Sequence, residues 1–124
     1  MWNGRNKAIT FSFDDGVTQD IRLVEILNKY GLKGTFNLNS GLMPENKDLN
    51  DRVSKEEISS LYEGHEVAVH SHTHHTLPEL PSTIILEEIM RDKQILEQWC
   101  GYTVRGMAYP NGPYDERVAR LCHD

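Results

Sequence analysis

No apolar run in these 124 residues approaches the length of a membrane-spanning helix. Lys and Arg never gather into a run, and the formal charge is −6. Both features argue against nucleic acid or an anionic membrane as the main partner; the acidity reads as solubility. Cysteine is scarce: Cys100 and Cys122 each fall in a predicted helix, as small apolar residues rather than a disulfide framework. The opening Met1-Trp2-Asn3-Gly4-Arg5 does not begin a signal peptide, so a cytoplasmic location is the default expectation. The length suits one domain, 1–124, with a modest core.

What is present is organised around Ala8-Ile9-Thr10-Phe11-Ser12-Phe13-Asp14-Asp15-Gly16. It reads as a buried strand, with Ile9, Phe11 and Phe13 on one face and Thr10, Ser12 and Asp14 on the other. Aspartate is a poor strand residue and is seldom buried without a partner. A strand ending Asp-Asp therefore needs a cation, a donor cluster or water at its tip. Gly16 permits a sharp turn there, which lets adjacent carboxylates converge.

A helix is expected from about Asp20 to Tyr30, its apolar stripe made by Ile21, Leu23, Val24, Leu27 and Tyr30. Thr18 or Asp20 is its expected cap, and Gly31 its C′ residue. Gly34 to Leu38 forms the second strand. Residues 39–53 read as a long loop, a kind more often functional than idle. Ser54-Lys55-Glu56-Glu57 is a capping box opening a short helix closed by Gly64. Val67 to His70 forms the third strand. The longest helix runs from an N-cap at Ser82 to Cys100, with Ile85, Ile89, Leu96 and Trp99 inside. Val104 to Tyr109 reads as a fourth strand, and Val118, Leu121 and Cys122 mark the face of a last helix ending at Asp124.

This alternation predicts an α/β fold of parallel (β/α) repeats. Each strand has one large apolar face and one small or polar face, which suits the wall of a barrel more than a sheet covered on both sides. Four such units are half of an eight-fold barrel, so the expectation is a partial or distorted (β/α) barrel. Its uncovered edges would offer a route to self-association.

In parallel α/β folds, functional groups gather past the C-terminal strand ends. Asp14 and Asp15 end the first strand, His70 the third, and Pro110-Asn111-Gly112 follows the fourth. Segment 70–75 holds four of the six histidines. Imidazole is the usual nitrogen ligand of zinc, and a carboxylate completes a three-ligand open site. His70 pairs with His72 if the chain stays extended and with His74 if it turns. His65 sits at the wrong strand end and reads as structural, and His123 as a surface residue.

Thr10-Phe11-Ser12-Phe13-Asp14-Asp15-Gly16 resembles the first motif of the polysaccharide deacetylases, the NodB-homology domain. His70-Ser71-His72-Thr73-His74 is similar to their second motif, His-Ser/Thr-any-any-His. The resemblance spans the chain but only the first part of the family domain. It implies that Asp15, His70 and His74 bind a divalent metal, usually Zn2+ with Co2+ or Ni2+ as substitutes. It also implies that Asp14 is the catalytic base, and it leaves His72 and His75 as bystanders or supporting groups. A backbone N–H near Tyr109 and Pro110 would face the developing oxyanion.

The third family motif is Arg-any-Pro-aromatic-Gly, its arginine orienting the catalytic aspartate. The matching stretch is Ala108-Tyr109-Pro110-Asn111-Gly112, so neither the arginine nor the aromatic is kept. The family's later motifs, with the histidine that protonates the leaving amine, would fall beyond residue 124. The expectation is a chain that binds metal and turns over poorly by itself.

The implied activity is metal-dependent removal of acetyl groups from N-acetylated sugars in a chitin- or peptidoglycan-like polysaccharide. Two alternatives are an amidase of the same scaffold acting on small nitrogenous substrates and a non-catalytic metal- or carbohydrate-binding fragment. A magnesium phosphohydrolase reading of Phe13-Asp14-Asp15-Gly16 is opposed by the histidines, since magnesium prefers oxygen ligands.

Overall fold

The computed structural model describes residues 2–47 and 49–123. A parallel three-stranded sheet is formed by β1 (Ser12–Asp14), β2 (Thr35–Leu38) and β3 (Glu66–Val69), in the order β1-β2-β3. Four helices accompany it among the described residues: α1 (Asp20–Lys29), α2 (Lys55–Leu61), α3 (Ser82–Cys100) and α4 (Glu116–His123). Register sets Asp14 beside Asn37, and Asn37 beside Ala68.

The alternation of side chains divides the sheet. Phe13, Phe36 and Val67 stand in one row, and Leu38 and Val69 follow on the same face. Apart from half-buried Phe13 these are buried, in one core with Val24 and Leu27 of α1, Ile58 and Tyr62 of the α2 turn, Ile85, Ile89 and Leu96 of α3, and Val118 of α4. The opposite face carries Ser12, Asp14, Thr35, Asn37, Glu66 and Ala68. It leaves no room beyond β3: a Cβ on Gly106 would lie 2.9 Å from Glu66 Oε1 and 3.1 Å from the Ala68 Cβ.

Several helix ends follow the local sequence. Ser54 and Glu57 form the capping box of α2. Gly31, at φ 64°, and Gly101, at φ 77°, take the left-handed conformation that ends a helix. Asp115 caps α4 through its carboxylate, which accepts the Val118 N–H at 2.7 Å.

Other expectations are corrected. The first strand is not buried: β1 is a three-residue edge strand, and Ile9 is 73% exposed because no strand pairs with that segment's outer side. The fourth strand is reduced to one parallel bridge, Val69 to Met107, held by Val69 N to Gly106 O and Ala108 N to Val69 O, each 2.9 Å. Ser82 is the first residue of α3, and Pro81 takes its cap position without a side-chain bond. Gln19, not Thr18 or Asp20, precedes α1. Asp20 instead turns inward, and its carboxylate accepts the Tyr62 hydroxyl at 2.7 Å. Ile21 on α1 and Tyr30 just past its end stay exposed. Asp124, the predicted end of the last helix, lies outside the described residues. Both cysteines are free and half-buried.

The stretch 39–53 is packed at its two ends, while residues 45–47 and 49–51 are exposed. It opens with a 3-10 turn at Ser40–Leu42, buries Met43 and Val53, and returns to pair Arg52 with Val17. No helix among the described residues is long and apolar enough to cross a membrane.

Phe36 is fully buried, against Phe13 and Tyr62, and lies at the centre of this packing. Phe36→Ala is expected to cost about 3–5 kcal/mol in urea denaturation. A loss below 1 kcal/mol, on the order of a surface change, would mean that the sheet is not the folding core.

Candidate metal centre

The strand ends converge as their sequence anticipated, through left-handed backbone. Asp15 (φ 78°) and Gly16 (φ 60°) turn the chain sharply at the end of β1. After β3, Ser71 (φ 66°) and His74 (φ 61°) do the same. Such conformations are uncommon outside glycine and persist where the surroundings hold them. The turn decides which imidazoles meet: the rings of His70 and His74 lie 5.0 Å apart.

Asp15, His70 and His74 each bring one ligand atom to a common point, all within 4.8 Å of one another. Asp15 Oδ1 stands 3.2 Å from His74 Nε2 and 3.6 Å from His70 Nε2. These are ion-pair distances without hydrogen-bond geometry: Asp15 Oδ1 is a buried oxygen with no hydrogen-bond partner among the described residues. A buried carboxylate oxygen left so is costly unless a cation faces it. One carboxylate and two imidazoles are also the donor types that zinc-like ions take. On both counts the residues present fit a divalent ion.

The imidazoles are oriented from behind. His70 is 2% exposed, and its Nδ1 lies 3.0 Å from the Ala108 carbonyl, which leaves Nε2 facing Asp15. That bond also draws the start of segment 108–112 to the rim. Tyr109 stacks on Tyr114 at 5.3 Å, and Pro110 is buried.

Asp14 stands beside the cluster, its side chain 52% exposed, with Oδ2 3.9 Å from His70 Nε2. Its other oxygen is engaged: the buried Asn37 amide donates to Asp14 Oδ1 at 2.8 Å and to Ser12 Oγ at 2.8 Å. The remaining histidines are elsewhere. His72 turns to Ser40 Oγ at 2.9 Å. Burial and the Arg91 charge hold its pKa below the usual imidazole range. His75 is exposed, with Nδ1 3.1 Å from Thr73 Oγ1. His65 accepts the Gly34 N–H through Nδ1 at 3.1 Å. His123 ends α4.

The sequence profile of the family described as Polysaccharide deacetylase matches residues 3–124. The chain belongs to the polysaccharide deacetylase family. It is 28% identical over 116 residues to a peptidoglycan-N-acetylglucosamine deacetylase, PgdA, of Listeria monocytogenes, covering 92% of this chain and 23% of that protein. Its fold is similar to that of the Streptococcus pyogenes deacetylase PplD, solved with acetate (TM-score 0.87, 20% identity, 97% of this chain and 53% of that one). A polysaccharide deacetylase from Bacillus cereus superposes with a TM-score of 0.84 at 26% identity, over 98% of this chain and 39% of the other. The chain thus spans about a quarter of the length of that curated relative. Deacetylases of this family have a distorted (β/α)-barrel fold, in keeping with the parallel (β/α) repeats described above.

Within this chain of the polysaccharide deacetylase family, sequence reasoning passed over the groups that support the cluster. Asn37 is one. It sits on the small face of β2, in register with Asp14, and supplies an orienting donor where the third motif has Ala108. Two carboxylates on α3 are others. Glu88 accepts from Ser71 Oγ (2.6 Å), the Thr73 N–H (2.9 Å) and Thr73 Oγ1 (2.8 Å), and so pins the left-handed loop. Asp92, fully buried, accepts the Ser40 N–H at 2.7 Å and the His70 N–H at 3.0 Å. Burial pushes its pKa up to about 6. A signal for Asp92 existed: it interrupts the buried stripe Ile85, Ile89, Leu96 of α3 with a charge.

Both Asp92 oxygens accept from buried backbone donors, the Ser40 N–H and the His70 N–H that it shares with the Leu38 carbonyl at 3.1 Å, and an asparagine has only one oxygen to offer. Asp92→Asn is expected to lower stability by about 1–3 kcal/mol, read by urea denaturation. An unchanged midpoint would show that these donors find other partners.

Proposed function

We propose that this chain carries the ion-binding and general-base part of a deacetylase acting on N-acetylated sugars of a polysaccharide such as chitin or peptidoglycan. The observation behind this reading is the partnerless Asp15 Oδ1, facing two imidazoles, next to a second carboxylate whose outer oxygen is open. Asp15 Oδ1, His70 Nε2 and His74 Nε2 are the proposed ligands, and Zn2+ the proposed ion, because two nitrogen donors disfavour magnesium. When bound, such an ion supplies Lewis acidity to the amide carbonyl and to water.

The chain's own residues account for the rest. Asn37 occupies Asp14 Oδ1, so Oδ2 is the oxygen that takes a proton from the attacking water. Water's oxygen adds to the acetyl carbon as that proton moves to Asp14. The backbone N–H of Tyr109, one residue past the Ala108 carbonyl that holds His70, is assigned to the oxyanion. Pro110 shapes the rim beside it. The C–N bond then breaks as the proton taken up by Asp14 passes to the nitrogen, giving acetate and a free amine. A polymer is favoured over a small amide because the excursion 39–53 folds back on residues 16–18, and Asp14 stays open to solvent. Slow turnover by residues 1–124 is expected, since none of them matches the family histidine assigned to the leaving amine.

One Co2+ or Zn2+ per chain is the expected stoichiometry in calorimetry. Asp15→Ala and His74→Ala should each abolish binding, while Asp14→Asn should preserve it. With protein in excess over N-acetylglucosamine oligomers, acetate release should fall about 10²- to 10⁴-fold in Asp14→Asn. Ion binding that survives Asp15→Ala, or acetate release that survives Asp14→Asn, would refute the assignment.

A further inference from the structure

Arg52 is distant from the cluster in sequence and adjacent to it in space. It ends the excursion 39–53, where Thr18 N bonds Asp51 O at 2.9 Å and Val53 N bonds Gly16 O at 2.8 Å. These bonds clamp residues 51–53 against the turn that contains Asp15. Arg52 is half-buried, and its Nη1 donates to the Asp15 carbonyl and, at 3.2 Å, to Asn39 Oδ1.

Asn39 is fully buried, and its amide donates to the His70 carbonyl and, at 2.9 Å, to the Ser71 carbonyl. A continuous line of hydrogen bonds therefore runs from the backbone of Asp15, through Arg52 and Asn39, to the backbone of His70. β1 and β3 are not neighbours, and the sheet links the two residues through β2 by their N–H groups, Asp15 to the Asn37 carbonyl at 2.9 Å and His70 to the Leu38 carbonyl at 3.1 Å. Arg52 and Asn39 hold the carbonyls of Asp15 and His70 instead. Charged donors make the stronger hydrogen bonds. Asp15 also holds a left-handed conformation, φ 78°, of the kind that persists where neighbours hold it.

We propose that Arg52, acting through Asn39, is a positioning residue that sets the spacing between the Asp15 carboxylate and the imidazoles of His70 and His74. This rests on the reading of those three groups as ion ligands. Arg52 touches none of the ligand atoms. Its effect is on the backbone that carries them, in the way that outer groups tune metal affinity about 10- to 100-fold.

The test is a Co2+ titration of the full chain, followed by visible absorption and by competition for affinity, with melting of the ion-free form recorded alongside. Arg52→Met keeps the aliphatic stem and removes the donors; Arg52→Lys restores a charged donor. Arg120→Ala, on the exposed face of α4, is the control. Arg52→Met should weaken Co2+ about 10- to 100-fold and alter the visible band. Arg52→Lys should recover part of both, and Arg120→Ala should match wild type. An Arg52→Met chain with wild-type affinity and band would overturn the brace while leaving the ligand assignment standing. So would a loss that merely tracks lower melting with the band unaltered, or an Arg52→Lys chain no better than Arg52→Met. A wild-type chain that binds no Co2+ would remove the ligand assignment itself, and the brace with it.

Discussion

A single oxygen sets the terms for this molecule. Asp15 Oδ1 is buried, has no hydrogen-bond donor among the described residues, and faces two imidazole nitrogens at 3.2 and 3.6 Å. Water would have hydrogen-bonded that oxygen freely, and the fold offers it no donor in exchange. Such an arrangement is expensive in isolation and sensible beside a cation. The left-handed residues on both sides of the cluster carry the same message: the chain accepts unfavourable backbone to bring these three atoms together.

The cost is met by groups set behind the cluster. From β2, Asn37 holds one oxygen of Asp14, and just past the strand Asn39 gathers the carbonyls of His70 and Ser71. From α3, Asp92 receives the backbone of Ser40 and His70 while Glu88 gathers Ser71 and Thr73. Glu88 and Asp92 are one helical turn apart, so a single face of α3 serves both loops. That face lies among Ile85, Ile89 and Leu96, and the apolar core thus fixes the height at which the two carboxylates stand. Packing and chemistry are linked at that helix: a shift of α3 would move the backbone of His70.

Much of this was readable in the residues themselves. Period-2 alternation located Phe36, Leu38 and Val67, and turn chemistry located Gly31 and the Ser54 capping box. The two motifs located the residues that converge, and geometry then separated His74 from His72, which spacing had left open. Less legible was whatever depends on neighbours. Ile9 carries a strand pattern, but nothing pairs with its outer side. Val104 to Tyr109 is apolar enough for a strand and makes one bridge. Asn37, Asn39 and Arg52 are ordinary polar residues until register and the fold of 39–53 bring them to Asp14, His70 and Asp15. Local pattern has no access to contacts made across 13 to 37 positions of chain.

The direct examination of the central claim is zinc-edge X-ray absorption on the zinc-loaded chain, with Asp15→Asn as the comparison. The account predicts a low-coordinate site with two imidazole nitrogens and oxygen donors, lost in the variant. An all-oxygen shell, or an identical spectrum from Asp15→Asn, would contradict it.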